Sequence, residues 1–204
     1  MTACDVLILG VGGQGVVTLG GLIAQAAMAA DISVSFVPSK GMAQRGGFVR
    51  VEVRLGRDKA GPRIGEHSAD LVVAMERSES LKGVAYVRPD GRFLLYDHVW
   101  EPTGVMLGQD AYPPRDAVIG ALAAAADEIL VLDPAMRPSF DGRPVAANVF
   151  VLGAMFGTRS LSNCVSQDVV ESVLLERWPN AADANLAAFR AGLDAGASVE
   201  EDCA

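Results

Sequence analysis

Cysteine and histidine are scarce in this chain of 204 residues, with three of the first and two of the second. Cys4, Cys164 and Cys203 are widely spaced and form no Cys-x-x-Cys pair. That argues against a disulfide framework and against an iron–sulfur or zinc site made by this chain alone, and a reducing cytosol is the compartment that fits. His67 and His98 stand in no recognisable spacing with a serine or cysteine, so each reads as a structural or surface histidine rather than a catalyst. Long apolar runs are missing too. No stretch approaches the roughly 20 residues needed to span a bilayer. The run from Val6 to Val11 is short, lacks a basic leader and breaks into glycines, so no secretory signal is read there. Net positive charge is also absent: the formal balance of −8 disfavours non-specific nucleic-acid binding. The expectation is a cytoplasmic chain that needs neither nucleic acid nor membrane.

What is present is a core. Half of the residues are hydrophobic and 21% are charged, as suits one large domain. Charge is nevertheless uneven. Between Lys40 and Arg63, seven basic residues (Lys40, Arg45, Arg50, Arg54, Arg57, Lys59, Arg63) face two acidic ones, Glu52 and Asp58. Such a local excess fits an anionic ligand or an acidic partner, or a strand kept soluble by its charges.

DVLILG (5–10) reads as a strand buried on both faces. A helix follows at VVTLGGLIAQAAMAA and a second strand at ISVSFV (32–37), a βαβ unit with a right-handed crossover. FVRVEVRL (48–55) alternates and predicts a half-exposed strand at or near a sheet edge. ADLVVAM (69–75) and RFLLYDHV (92–99) are further strands, and GALAAAADEILVLD (120–133) is a helix running into another. RPSFDGRP (137–144) reads as a surface loop and VAANVFVLGAMFG (145–157) as a buried helix. Two C-terminal helices complete the pattern. One is capped at Ser166, and the other runs from an Asn180 cap to a stop near Gly196.

Gly10, Gly12 and Gly15 fit G-x-G-x-x-G between the first strand and its helix. There glycines allow a tight turn and a close approach to a ligand, and the helix N-terminus attracts an anion. Gly13 and Gln14 lie in the same turn, and Thr18, one turn into the helix, can add a hydroxyl. A dinucleotide site would add a carboxylate at the end of the second strand, but Phe36-Val37-Pro38-Ser39-Lys40 has none. Three readings stay open: a packing turn, a phosphate-bearing ligand, or an interface built on the loop.

VGGQGVVTLGGLIAQAA followed by KGMAQRGGFVRVEVRLG resembles the small gamma-type domain of the 2-oxoacid:ferredoxin oxidoreductases. The GMAQRGG form of the second motif is nearest to the beta subunits of the indolepyruvate type. SADLVVAM, AANVFVLGAMFG and NLAAFRAG agree with later family segments, so the resemblance covers about residues 4–196. It departs at Pro38-Ser39-Lys40, where something near Glu-Val-His is the family form, and RPSFDGRP is an added loop.

The resemblance implies one gamma-type domain over 1–204: an α/β, doubly wound, Rossmann-like and mostly parallel sheet with helices on both faces. The C-terminal helices, about 166–196, would pack on it or on a partner. It also implies a small subunit without a catalytic cofactor of its own. A large partner subunit would carry thiamine diphosphate with magnesium and 4Fe–4S clusters, with ferredoxin as electron acceptor and coenzyme A as co-substrate. The two glycine turns would lie at the carboxyl ends of the strands, facing that partner or coenzyme A. The candidate site is then Gly12, Gly13, Gln14, Gly15 and Thr18 with Gly41, Met42, Gln44, Arg45, Gly46, Gly47 and Asn148. Arg45 offers a forked donor to phosphate or carboxylate. Asn148 needs a hydrogen-bond partner because an unpaired buried amide is costly. Asp70, Glu76, Asp97 and Glu101 lie near strand ends without a paired-carboxylate motif and read as solvated or capping residues. A stand-alone nucleotide-binding enzyme and a non-enzymatic interaction module are the competing readings.

Overall fold

The structure, a computed structural model, describes residues 3–41, 47–57, 61–158 and 160–202, with side chains to residue 198. Strand β1 (Cys4–Val11) forms because a run of apolar residues can be covered on both faces, and every one of its residues is buried. It lies in a six-stranded sheet with β2 (Val34–Lys40), β3 (Phe48–Leu55), β4 (Ala69–Ala74), β5 (Val87–Tyr96) and β6 (Glu128–Leu132). The spatial order is β2-β3-β1-β4-β5-β6. From β1 to β6 the strands run parallel, whereas β3 runs antiparallel to both of its neighbours. The α/β, mostly parallel class expected from the pattern is therefore observed. The β1–α1–β2 crossover steps over β3 rather than joining adjacent strands.

One face is covered by α1 (Val16–Ala29), α5 (Ala147–Gly157), α6 (Gln167–Arg177) and α7 (Ala182–Asp202). Val6 and Ile8 of β1 point into that layer, and Leu7 and Leu9 into the other. The second layer holds α4 (Arg115–Ala123) through Val118 and Leu122, together with Ile64. Two single-turn helices, α2 (Arg77–Ser80) and α3 (Thr103–Met106), follow β4 and β5. Each fully buried Leu, Ile or Val contributes roughly 1.5–3 kcal/mol.

Strand β3 sits one strand in from the edge, near it as expected, and on its polar face Phe48, Arg50 and Arg54 keep only part of their exposure. Glu52 is wholly buried, and the Arg50 and Arg54 side chains are largely so. Arg54 lies directly across from Asp5 in the ladder and donates to both carboxylate oxygens at 3.0 Å; Arg57 adds a third such bond. Glu52 receives the Ile64 N–H at 2.5 Å and Arg63 at 2.9 Å, while the Arg50 guanidinium stacks over Tyr86. A strap of chain leading to Ile64 thus folds back over β3. Much of the basic excess is consumed inside the protein, which neither the ligand reading nor the solvated-strand reading anticipated.

The expected C-terminal stop also shifts. Helix α7 continues past Gly196, because that glycine is a contact surface. Gly153 and Gly157 of α5 meet Gly192 and Gly196 of α7 backbone to backbone. Ser166 does precede α6, although its hydroxyl makes no capping bond. The expected loop at 137–144 is a small hairpin, β7 (Ser139–Phe140) with β8 (Arg143–Pro144). Asp141 and Gly142 both have positive φ there, as a tight hairpin turn requires.

Candidate functional site

The turn after β1 is held by one side chain. Gln14 accepts the Val11 N–H on Oε1 at 2.9 Å and donates from Nε2 to the Met75 carbonyl at 2.6 Å. Its amide therefore rivets the turn to the end of β4. Gly10 is required beneath it, since a Cβ there would stand 2.7 Å from Gln14 Oε1 and 2.8 Å from Val16 Cγ2. Gly13 (φ 106°) is exposed and faces open space. Gly15 (φ 78°) precedes α1 and lies under Asn148, whose Nδ2 would be 2.7 Å from an added Cβ.

The second turn joins the first. Gly12 N–H donates to the Gly47 carbonyl at 2.8 Å, and Gly41 N–H donates to the Phe48 carbonyl at 2.8 Å, closing the β2–β3 hairpin. Gly12, Gly13, Gln14, Gly15, Gly41, Gly47 and Asn148 are thus gathered at one rim of the sheet, and Thr18 lies half-buried in the first turn of α1. Met42, Gln44, Arg45 and Gly46 lie outside the described residues. Helices α1 and α5 both begin at this rim. Neither has a side-chain cap or an acidic residue in its first turn, so their positive dipole ends are uncompensated by carboxylates there.

The rim includes residues that the sequence did not promote. His98 Nδ1 stands 3.4 Å from Gln14 Nε2, and its ring stacks on Tyr96. Its position two residues beyond the carboxyl end of β5 was the available signal. Burial pushes the Tyr96 hydroxyl above its ordinary pKa. Glu76, wholly buried, caps α2 through the Glu79 N–H at 2.9 Å. It also accepts from Ser78, from Trp100 N–H and from the Tyr112 hydroxyl. Burial, reinforced by that carboxylate, pushes Tyr112 up. Asp97 accepts Arg77 at 2.5 Å and Arg115 at 2.6 Å. Burial pulls its carboxyl upward, but the two guanidinium groups outweigh it and hold Asp97 below the usual range.

At the opposite end of the sheet, Asp70 receives the Asp5 N–H and pairs with Arg88, and His67 precedes β4. Cys4 and Cys164, far apart in sequence, are buried neighbours; a hydrogen bond between their sulfurs raises the Cys4 thiol and lowers that of Cys164. Among the described residues no group of three His, Cys, Asp or Glu could hold a metal, and no helix is long and apolar enough to cross a membrane.

Residues 5–195 match the model of the pyruvate ferredoxin/flavodoxin oxidoreductase family. The chain belongs to this family. It is 34% identical over 188 residues to the indolepyruvate oxidoreductase subunit IorB of Archaeoglobus fulgidus, covering 92% of each chain. Identity to the IorB of Methanothermobacter thermautotrophicus is 31% over 193 residues, covering 95% of this chain and 97% of that one. In fold it is similar to the gamma subunit of a keto/oxoacid ferredoxin oxidoreductase from Geobacter sulfurreducens (TM-score 0.65, 21% identity, 96% and 99% covered). The pyruvate oxidoreductase subunit PORC of Thermotoga maritima gives a TM-score of 0.69 at 21% identity, with 95% and 97% covered. A 2-oxoglutarate:ferredoxin oxidoreductase from Magnetococcus marinus matches 97% of this chain with 32% of its own (TM-score 0.67, 17% identity). In that relative the fold of this oxidoreductase family is one part of a longer polypeptide.

Proposed function

We propose that this chain is the small subunit of a 2-oxoacid:ferredoxin oxidoreductase acting on indolepyruvate or a similar aryl pyruvate. The assembled enzyme would decarboxylate the 2-oxoacid oxidatively to an acyl-CoA. The observation that carries the reading is the Gly12–Gly47 bond, which fuses the two family-type glycine bends into one rim. Indolepyruvate as substrate rests on the IorB relatives.

The residues described here do not fit thiamine diphosphate with its magnesium ion, or iron–sulfur clusters. The buried Cys4 and Cys164 sit at the far end of the sheet, and the rim carboxylates Glu76 and Asp97 are saturated by donors. The reading therefore assigns those groups to the large partner. What this chain supplies is a rigid face. Gln14 spends its amide on the turn itself, so the surface offered is glycine backbone with two helix N-termini behind it, suited to a phosphate of coenzyme A or to a partner's main chain. Partner contact is the leading role of the two.

The Rossmann alternative fits less well. In a dinucleotide site the second strand lies beside the first and ends in a carboxylate. Here β3 intervenes, moving β2 one strand spacing further out, and Ser39 at its end is bonded to Arg63.

The test is reconstitution. The purified chain should oxidise no 2-oxoacid, and co-expression with a large thiamine diphosphate subunit should restore indolepyruvate-dependent ferredoxin reduction. Full activity in the lone chain, or its tight binding of NAD(H) or FAD, would reject the reading.

A further inference from the structure

The segment between β5 and α4 carries four large apolar side chains that the fold does not use. Val99 and Trp100 are exposed, and Met106 and Leu107 retain 70% and 66% of their accessible surface. Helix α3, within this segment, buries none of its residues. Elsewhere the exposed large apolar residues, such as Met28 on α1 and Leu175 on α6, stand apart from one another in sequence, as is ordinary on a protein surface. Four within nine residues are not ordinary.

This segment is built rather than loose. Both of its ends are pinned to one buried carboxylate: Trp100 N–H donates to Glu76 Oε1 at 3.1 Å, and the Tyr112 hydroxyl donates to the same oxygen. Arg77 N–H also holds the His98 carbonyl at 2.9 Å. Burying Glu76 completely is costly unless all its donors are in place, so the anchor fixes where the arm leaves the sheet. Within the arm, the bonds that shape α3 are local, from Met106 to Pro102 and from Leu107 to Thr103. The stiffened stretch holds its apolar side chains in water.

We infer that residues 99–111 are a docking arm for the large subunit of the oxidoreductase. This rests on the proposed subunit role. The occupant follows from place and composition. The arm leaves the carboxyl end of β5, where His98 Nδ1 lies 3.4 Å from Gln14 Nε2, so it is continuous with the glycine rim. In the Magnetococcus marinus enzyme the same fold is 32% of one chain and is covalently tied to the rest. Where the large part is a separate chain, as the proposed subunit role has it, contact surface takes the place of that tether. Trp and Met are enriched in the dry centres of such surfaces, with Trp frequent among the residues that dominate affinity.

The experiment compares Met106→Ser/Leu107→Ser with Met28→Ser/Leu175→Ser and the parent. It measures affinity for the large thiamine diphosphate subunit, and the thermal midpoint of the small chain alone. Expected is at least a tenfold weaker complex for the first variant, with parental affinity for the second and unchanged midpoints for both. Trp100→Ala, whose backbone bond to Glu76 is retained, should weaken the complex similarly. Parental affinity in the first variant would overturn the docking arm while leaving the subunit role intact. Failure of the parent to assemble would overturn both. A self-association of the small chain that the first variant abolishes, with the large-subunit complex unaffected, would give the arm to a second copy and overturn the occupant inferred here.

Discussion

Asn148, on the first turn of α5, lies against Gly15 at the start of α1, so closely that a Cβ on Gly15 would come within 2.7 Å of its Nδ2. Two helices distant in sequence therefore meet where the glycine turn ends. Gly15→Ala should cost about 1–2 kcal/mol for the left-handed backbone alone, with the Asn148 clash added. Gly15→Ala/Asn148→Ala should relieve the contacts with Nδ2 and Cγ but neither the 3.2 Å approach to the Asn148 Cβ nor the backbone strain. Urea unfolding of the single and double variants tests this; strict additivity would show that the pair does not interact.

Arg45, outside the described residues, is proposed from the sequence alone to meet a ligand or partner. On that proposal Arg45→Ala lowers the turnover of the assembled complex more than it lowers the thermal midpoint of the free chain. Equal turnover in the two complexes would remove Arg45 from the candidate site.

Asp5 is buried under Arg54 and Arg57, each bonded at 3.0 Å. Asp5→Ala removes the carboxylate from the shielded Arg54, which keeps only the Gly61 and Arg63 carbonyls, and from the partly exposed Arg57. Because Arg54 is mostly shielded, the loss should be about 3 kcal/mol and resist added salt. A loss well under 1 kcal/mol, or one that vanishes in high salt, would mean the network behaves as a surface pair.

Asp97 titrates below its ordinary value because Arg77 and Arg115 outweigh its burial. A lowered carboxyl stabilises the fold above the unfolded pKa of about 3.9. That contribution is lost as pH falls from there through the folded value. Asp97→Asn should therefore be less stable than the parent at pH 7, and the gap should close progressively below about pH 4. Guanidinium unfolding at several pH values decides it: a gap constant with pH would exclude the charge as its origin.

Gly153 faces the Phe189 carbonyl across the α5–α7 contact, and Gly192 faces that of Phe150. Backbone cannot swing aside as a side chain can. Gly153→Ala should thus cost at least the upper part of the 1–3 kcal/mol usual for overpacking. An alanine tolerated there without loss in a denaturant titration would show that the helices separate freely.

The parallel core and the first glycine turn were legible because their signals are local. An apolar run followed by three spaced glycines leaves few alternatives. The meeting of Gly12 with Gly47 was legible only through strand direction, since both bends follow strands that run the same way. The neighbours of β3 were not readable. Its alternation shows a polar face, but nothing local reveals that Asp5 and the Ile64 strap would cover that face. Gly196 misled for a related reason: a glycine that ends a helix and one that admits a neighbouring helix look identical in sequence. His98 read as a structural or surface histidine and Glu76 as a solvated or capping residue, and Glu76 does cap α2. Their further partners, Gln14 and Tyr112, lie 84 and 36 residues away, beyond any local signal.

Gln14 reaches 61 residues along the chain to Met75, and Gly15 waits for a residue numbered 148. The glycine bend is thus completed by distant parts of the chain, and a fragment ending before residue 148 would leave its corner open.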